Sequence, residues 1–417
     1  MANDSEKKPV MNQDQDFVAA SDLSGNFSTG QQVLLGFQHT LAMFGACILV
    51  PILTGLSISA TLFAVGAGTL IFHFMTDRKV PAFLGSSFAF IGPLIIAGEQ
   101  VGLRAAQGGI ILAGLTYVIV GFLMEKAGQE RVKRVFPPVV TGPIIMIIGL
   151  SLAPIGIDMA SGHWGVALIT LGVAVVVNIW GKGLIKVLPI VIGLAAGYIA
   201  SLAFGLIDGT QVAEASFVGV PGFTLPQFNA TALLLVAPAA IVSIIEHFGD
   251  VLAIGSTIGK DIRKDPGIPR TFYGGGVATM LSGFVGGPSL TTYGENVGVL
   301  ALTRVYATFV VSMGAVWAIA LSFIPKIEAA INTIPVPVIG GISVLLYGMI
   351  AAVGVRTVVE NKVNFTNSRN LIVASVILVL GVGGVGFEIG DINFSAMVIA
   401  AVAGVLLNLI LPGGEVK

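Results

Sequence analysis

Charge is scarce in this sequence. Asp, Glu, Lys and Arg together make up 10% of its 417 residues, against about 25% in an average soluble domain. So few charges cannot clothe a soluble protein of this size, but they suffice where lipid covers most of the surface. An excess of basic residues is missing too. The net charge is -1, which excludes the global positive field that a nucleic-acid partner would require. There is one cysteine, Cys47, so an internal disulfide framework and a cysteine-based metal cluster are both excluded. The four histidines have no carboxylate spacing of the zinc-site kind, so no metal site is expected. No glycine-rich phosphate loop is present, which removes ATP as the energy source. A membrane enzyme would need a metal cluster, a nucleophile triad or a cofactor motif, and none is visible.

What remains is apolar. Hydrophobic residues make up 55% of the chain, and the mean hydropathy is +0.95. A membrane span needs about 20 mostly apolar residues. Such stretches fall near 32–53, 58–76, 80–98, 107–125, 136–157, 162–181, 184–206, 231–255, 271–286, 288–303, 305–325, 335–355, 369–387 and 393–412. The sequence therefore predicts an all-α polytopic membrane protein of 14 segments. The third and tenth stretches are short and rich in Gly, Ser, Thr and Pro, which marks them as interrupted. Residues 1–31 are polar and mixed in charge, and read as a tail rather than a cleaved signal peptide. Residues 413–417 read as a second tail.

The basic residues test the count. Sixteen of the 21 Lys and Arg fall in even-numbered loops, from Arg78 and Lys79 to Arg369. The odd loops hold only Arg104 and Lys326, and the tails hold Lys7, Lys8 and Lys417. This asymmetry is the positive-inside pattern. It puts the even loops and both termini in the cytoplasm, as expected of a protein in a bacterial cytoplasmic (inner) membrane.

The two halves resemble each other. Pro138-Val-Val-Thr-Gly-Pro-Ile-Ile-Met-Ile-Ile-Gly149 is similar to Pro337-Val-Ile-Gly-Gly-Ile-Ser-Val-Leu-Leu-Tyr-Gly348, and Ser86-Ser87-Phe88 to Thr291-Thr292-Tyr293. The near-equal offsets pair segment 3 with 10 and segment 5 with 12. Seven segments per half would invert the second half relative to the first. Secondary transporters use inverted repeats for alternating access, with substrate held near the midplane by discontinuous helices. Irregular backbone at that depth survives only where it is packed in protein or lines a cavity.

Acids at depth are few. Of 22 Asp and Glu, only Glu246, Asp250 and Glu295 are placed well inside the predicted spans, away from their ends. A carboxylate at the bilayer centre costs about 2.5–3.5 kcal/mol on insertion scales, so such a residue marks a pathway by default. Glu246 and Asp250 are four apart and share a helix face. No Lys or Arg lies deep enough to pair with them, so the acids must be protonated, ligand-bound or ion-bound. A carboxyl that takes up and releases a proton would couple transport to a proton gradient. Gln38-His39 is a polar pair in an otherwise apolar first span, as suited to structural hydrogen bonding as to a site. His73 and His163 are expected at the membrane interface.

These residues also carry a resemblance. Glu295-Asn-Val-Gly-Val-Leu-Ala-Leu-Thr303-Arg304 resembles the signature of the nucleobase–ascorbate transporter family (nucleobase:cation symporter-2). Gln38-His39 resembles its first-helix motif, Glu246-His-Phe-Gly-Asp250 its eighth-helix acidic motif, and Ser86-Ser-Phe-Ala-Phe90 its third-segment strand. The resemblance runs from about residue 32 to 412. Thr291-Thr-Tyr-Gly-Glu-Asn is most similar to the family's bacterial uracil permeases.

The resemblance implies two inverted sevens with short antiparallel strands in segments 3 and 10. A core domain would be formed by segments 1–4 and 8–11 (about 32–125 and 231–325). A gate domain would be formed by segments 5–7 and 12–14 (about 136–206 and 335–412), through which the family often dimerises. Glu246 and Glu295 would bind a nucleobase through their side chains, and Phe88 and Gly294 through backbone N–H groups. Ala46, Tyr293 and Tyr347 would wall the pocket. Asp250, Glu246 and His39 are the coupling candidates. Uracil taken up with a proton is the first expectation. Asp250 stands where the uracil permeases carry His and many purine transporters carry Asp, so a xanthine or uric acid permease, with sodium as the alternative ion, is the second. An anion transporter or channel on the same fold is the third, and the paired acids argue against it. No cofactor beyond the co-transported ion is expected.

Overall fold

The computed structural model describes residues 28–128, 134–182, 185, 186, 188–384, 386–389 and 392–412. Most of the predicted tails therefore lies outside the described residues. The first helix, α1, spans Thr29–Thr54. It starts in a capping box: Ser28 Oγ accepts from the Gln31 backbone, and Gln31 Oε1 accepts from the Ser28 N–H at 2.8 Å. That reciprocal pair satisfies two of the N–H groups every helix start leaves over. The helix therefore begins inside the stretch read as tail. Helix α2, Ile58–Met75, is capped by Ser57.

The third stretch is interrupted, as expected, but not as one strand. Strand β1 is only Leu84–Ser86; Phe88–Phe90 form a 3₁₀ turn, and helix α3 continues over Ile91–Val101. Of the expected strand Ser86–Phe90, Ser86 lies in β1, Ser87 is extended and donates its N–H to Ser289 O at 2.9 Å, and Phe88–Phe90 are helical. Helices α4 (Leu103–Ala127), α5 (Pro138–Ser161), α6 (Trp164–Trp180) and α7 (Pro189–Ala203) follow. The remaining elements follow. Helix α8 runs from Ala230 to Ile258 through a 3₁₀ turn at Ala237–Ala239, and α9 is Ile268–Val285. Strand β2 (Leu290–Thr292) leads into α10 (Gly294–Thr303). Helix α11 (Thr308–Ser322) turns by 82° into a short helix, Pro325–Asn332. Helices α12 (Val336–Glu360), α13 (Ser368–Val382) and α14 (Ala396–Ile410) complete the chain. Between the last two, β3 (Phe387–Ile389) pairs with β4 (Ile392–Phe394), so the thirteenth helix stops short of its predicted end.

Each of the predicted stretches coincides with a helix or a strand–helix unit. Among the described residues, six helices are long and apolar enough to cross a membrane, or seven if the bent pair after Thr308 is one span. For α3 the shortfall has a physical reason. The 11 residues of α3 span only about 16 Å at 1.5 Å per residue, half the hydrocarbon thickness, because β1 and the 3₁₀ turn take the rest of the segment.

Packing is unequal around the molecule. Helix α5 lies along α12, α4 along α9 and α2 along α11, while α6 pairs with α7 and α13 with α14. Large apolar side chains such as Ile199, Leu371, Val379 and Ile410 are exposed on the outer helices, as a surface wetted by lipid requires. The two short strands sit in the middle. They pair antiparallel, with Leu84 opposite Thr292 and Ser86 opposite Leu290. A threonine holds the start of each strand: Leu84 N–H donates to Thr69 Oγ1 at 3.0 Å, and Leu290 N–H to Thr279 Oγ1 at 3.2 Å.

Candidate functional site

The strand pair sets the frame of the site. Beyond β1 the chain turns at once into the 3₁₀ turn, and beyond β2 into α10. Among the described residues, the Phe88 and Gly294 N–H groups, at the first positions of those turns, have no backbone partner. First-turn donors of this kind are left over by helix geometry and suit a carbonyl or an anion. An added Cβ on Gly294 would meet nothing within 4 Å, and the residue is exposed. That position borders open space at the centre of the molecule.

The acids lie beside it. Glu295 is the second residue of α10, in the first turn, where a negative charge is favoured by the helix dipole. Glu246 and Asp250 come from α8, which packs against both α10 and the 3₁₀ turn at Phe88. The two helices that carry the three acids, α8 and α10, are in direct contact. Asp250 is held: its Oδ2 accepts a 2.9 Å bond from Thr292 Oγ1 on β2. Glu246 is not held: its Oε2 is buried without a hydrogen-bond partner. Leaving a buried acceptor unpaired costs about 1–3 kcal/mol, a cost that a ligand N–H or a proton would remove.

Aromatic residues bound the same space. The Tyr293 ring lies over Gly85, where any Cβ would sit 2.4–2.6 Å from ring atoms. Its hydroxyl donates to Ser86 O at 2.9 Å, and its N–H to Phe83 O at 3.0 Å. Phe88 meets Tyr347 of α12 edge-on, with centroids 6.3 Å apart and planes at 84°. Ala46 is fully buried in α1, next to Cys47, whose carbonyl accepts from Ser86 Oγ at 3.0 Å.

His39 stands apart from this group. It is seven residues from Ala46, about 10 Å along the helix. Asn296 Nδ2 donates to its carbonyl at 3.0 Å and lies 3.2 Å from Nδ1. In this structure the side chain tethers α10 to α1. His73, in the last turn of α2, is packed inside the protein: it is 2% exposed, with Nδ1 2.8 Å from Ser312 Oγ and Nε2 2.8 Å from Ala82 O. His163, half-buried, accepts from the Val166 N–H as the cap of α6.

The sequence did not reveal a second layer behind the site. Tyr117 Oη and Ser87 Oγ both donate to Ser243 Oγ, at 2.7 and 3.1 Å. This fixes the residue before Phe88 against α8, one turn before Glu246. A serine three residues before an intramembrane acid was the available signal.

Comparison with known proteins gives the family. A model of the xanthine/uracil permease family matches residues 30–388. The uracil permease of Bacillus caldolyticus is 44% identical over 408 residues, covering 94% of each chain. That of Escherichia coli is 40% identical over 391 residues, covering 91% of each. Among solved structures, the transmembrane domain of a cyanobacterial bicarbonate transporter superposes with a TM-score of 0.64 at 17% identity, covering 89% of this chain and 96% of the other. The murine Slc26a9 anion transporter in its inward-facing state gives 0.66 at 10% identity, covering 98% and 73%. At such identities the two structures share a fold and no more. By its family match and its full-length relatives, this multi-pass membrane protein belongs to the xanthine/uracil permease family, and is a transporter rather than an enzyme.

Proposed function

We propose that the chain takes up uracil by alternating access, driven by a co-transported proton. One observation carries the reading. The strand pair brings two unclaimed backbone N–H groups, at Phe88 and Gly294, to the same place as two acids, one of which has a buried oxygen without a partner. Uracil offers two ring N–H donors and two carbonyl acceptors in one plane. Glu246 and Glu295 accept from the N–H groups, the backbone donors serve the carbonyls, and Phe88, Tyr293 and Tyr347 enclose the ring, with Ala46 behind it. The relatives named as uracil permeases support the choice of base. Asp250, with Glu246, would carry the proton, and His39 would act through its tie to α10.

The architecture proposed for this cycle is two inverted repeats of seven segments. Its support is a packing pattern that survives exchange of the halves. The α2–α11 pair maps onto α9–α4, α6–α7 onto α13–α14, and α6–α12 onto α13–α5. Helices α1–α4 with α8–α11 would form the core, and α5–α7 with α12–α14 the gate, through which a homodimer would form. The termini and the basic loops would face the cytoplasm across the inner membrane.

Asp250 favours a second reading, a xanthine or uric acid permease driven by sodium. Thermal unfolding of the detergent-purified protein with a panel of nucleobases separates the two, because a ligand that binds the folded state raises the Tm by mass action. Stabilisation by uracil supports the first. Stabilisation by xanthine or urate in its place overturns it, and a response to bicarbonate alone returns the chain to the anion transporters.

A further inference from the structure

A cavity of about 640 Å³ lies away from the acids. Its walls are the end of α1 (Pro51, Ile52), the Ser57 cap of α2, the start of α4 (Arg104, Gln107), the short helix after α11 (Glu328) and the start of α12. All of these belong to the end of the molecule that bears the odd, cation-poor loops. Along α1, Ile52 lies six residues beyond Ala46, about 9 Å at 1.5 Å per residue. Along α12, Ile339 lies eight residues before Tyr347, about 12 Å on the same side. The cavity is thus stacked on the central site at roughly one ligand's remove.

Its polar groups are only partly used by the protein. Gln107 is 2% exposed; its Nε2 donates to Thr224 Oγ1 at 2.6 Å, and its Oε1 is buried without a partner. Turning the amide over would give Thr224 the oxygen and leave the NH₂ unpaired, so one end is unclaimed in either orientation. Glu328 Oε1 accepts from the Ile58 N–H at 2.9 Å and from Ser57 Oγ at 3.1 Å, which leaves Oε2 for another donor. Arg104 uses Nε on Leu225 O at 2.9 Å, and its two terminal nitrogens are not bonded to the described residues. A carboxylate acceptor, a guanidinium donor and a buried amide therefore share one chamber with aliphatic walls. That set suits a small neutral ring with both N–H and C=O groups, and suits neither a free anion nor a free cation.

We infer that this cavity is a second, weaker nucleobase subsite, occupied on the way to the acids. The inference rests on the uracil reading above. Its walls come from the proposed core, from the short helix that joins core to gate and from the start of α12 in the gate, so the subsite would change shape as core and gate move against each other.

Equilibrium dialysis of radiolabelled uracil against the full-length purified protein tests it, with Ile52→Trp to fill the chamber and Gln107→Leu to remove the amide. Wild type is expected to bind in two phases, the second about tenfold or more weaker. Both variants should lose the weak phase and keep the tight one, whereas Glu246→Gln should lose the tight phase. A single phase in wild type, or a weak phase that survives Ile52→Trp, overturns the subsite while leaving the uracil reading intact. No uracil binding in either phase overturns the functional reading itself. Because Ile52→Trp breaks no hydrogen bond, it decides the matter if Gln107→Leu fails to fold.

Discussion

Thr292 Oγ1 donates to Asp250 Oδ2 across 2.9 Å, binding the second short strand to the helix that carries Glu246. Both residues are buried. The bond makes the position of one site acid depend on the strand whose end supplies the other, Glu295. Thr292→Val keeps the shape and removes the donor. It should cost about 1–3 kcal/mol of stability, the usual penalty for a buried partner left unpaired, and should weaken uracil binding through displaced α8. Thermal unfolding and a uracil titration read the two effects separately. A variant that binds uracil as wild type does would show that the strand does not position the acids.

Glu295→Gln tests direct contact. The side chain is half-buried in the first turn of α10, so the fold should tolerate the change. Hydrogen bonds to a charged group are worth about 1.5–3 kcal/mol, so uracil affinity should fall roughly ten- to hundredfold by calorimetric titration. Unchanged affinity would remove Glu295 from the ligand.

Gly85→Ala separates shape from hydrogen bonding. The new Cβ would overlap the Tyr293 ring, which must swing away and release Ser86 O. Tyr293→Phe loses only that hydroxyl bond and keeps the ring in place. The alanine variant should lose uracil binding outright. The phenylalanine variant should keep it within a few-fold, at a stability cost of about 1 kcal/mol. Equal losses in both would mean that the hydroxyl, rather than the ring, holds the wall.

Part of this site is legible in the sequence and part is hidden. The four-residue spacing of Glu246 and Asp250, in a chain with few charges, announces a shared face. The broken segments announce themselves by Gly, Pro and small hydroxyls. What the sequence hides is tertiary. Thr69 and Thr279 look like any threonine in a membrane helix, where a hydroxyl usually bonds its own backbone four residues back. Only the fold shows that each holds a strand. His73 precedes cationic loop residues, and only the fold shows that Ser312 and the Ala82 carbonyl engage both of its ring nitrogens. The strand limits were missed for a related reason. Local composition marks where a segment is irregular, whereas pairing with the other half decides that the extended stretch ends at Ser87.

The two threonines give a test of symmetry. If the strands are equivalent parts of inverted repeats, Thr69→Val and Thr279→Val should lower the Tm by similar amounts, each costing about 1–3 kcal/mol. Their double variant should depart from additivity, because the two strands pair directly and neighbouring sites couple. Additive effects would mean that each threonine stabilises only its own helix.

Asp250→Asn addresses the ion. The Asn carbonyl oxygen can still accept from Thr292, so the fold and the uracil affinity should persist, but the side chain can no longer bind or release a proton. In proteoliposomes, wild-type uptake should accelerate when the outside is made acidic, and the variant should lose that response while still exchanging labelled for unlabelled uracil. If the variant keeps the response, Asp250 is not the coupling group, and Glu246, with its unpaired buried oxygen, is the next to test. If wild type ignores the proton gradient and responds to a sodium gradient, the carboxylate belongs to a cation instead. Asp250→Asn should then abolish the sodium response by removing the charge that would hold the ion.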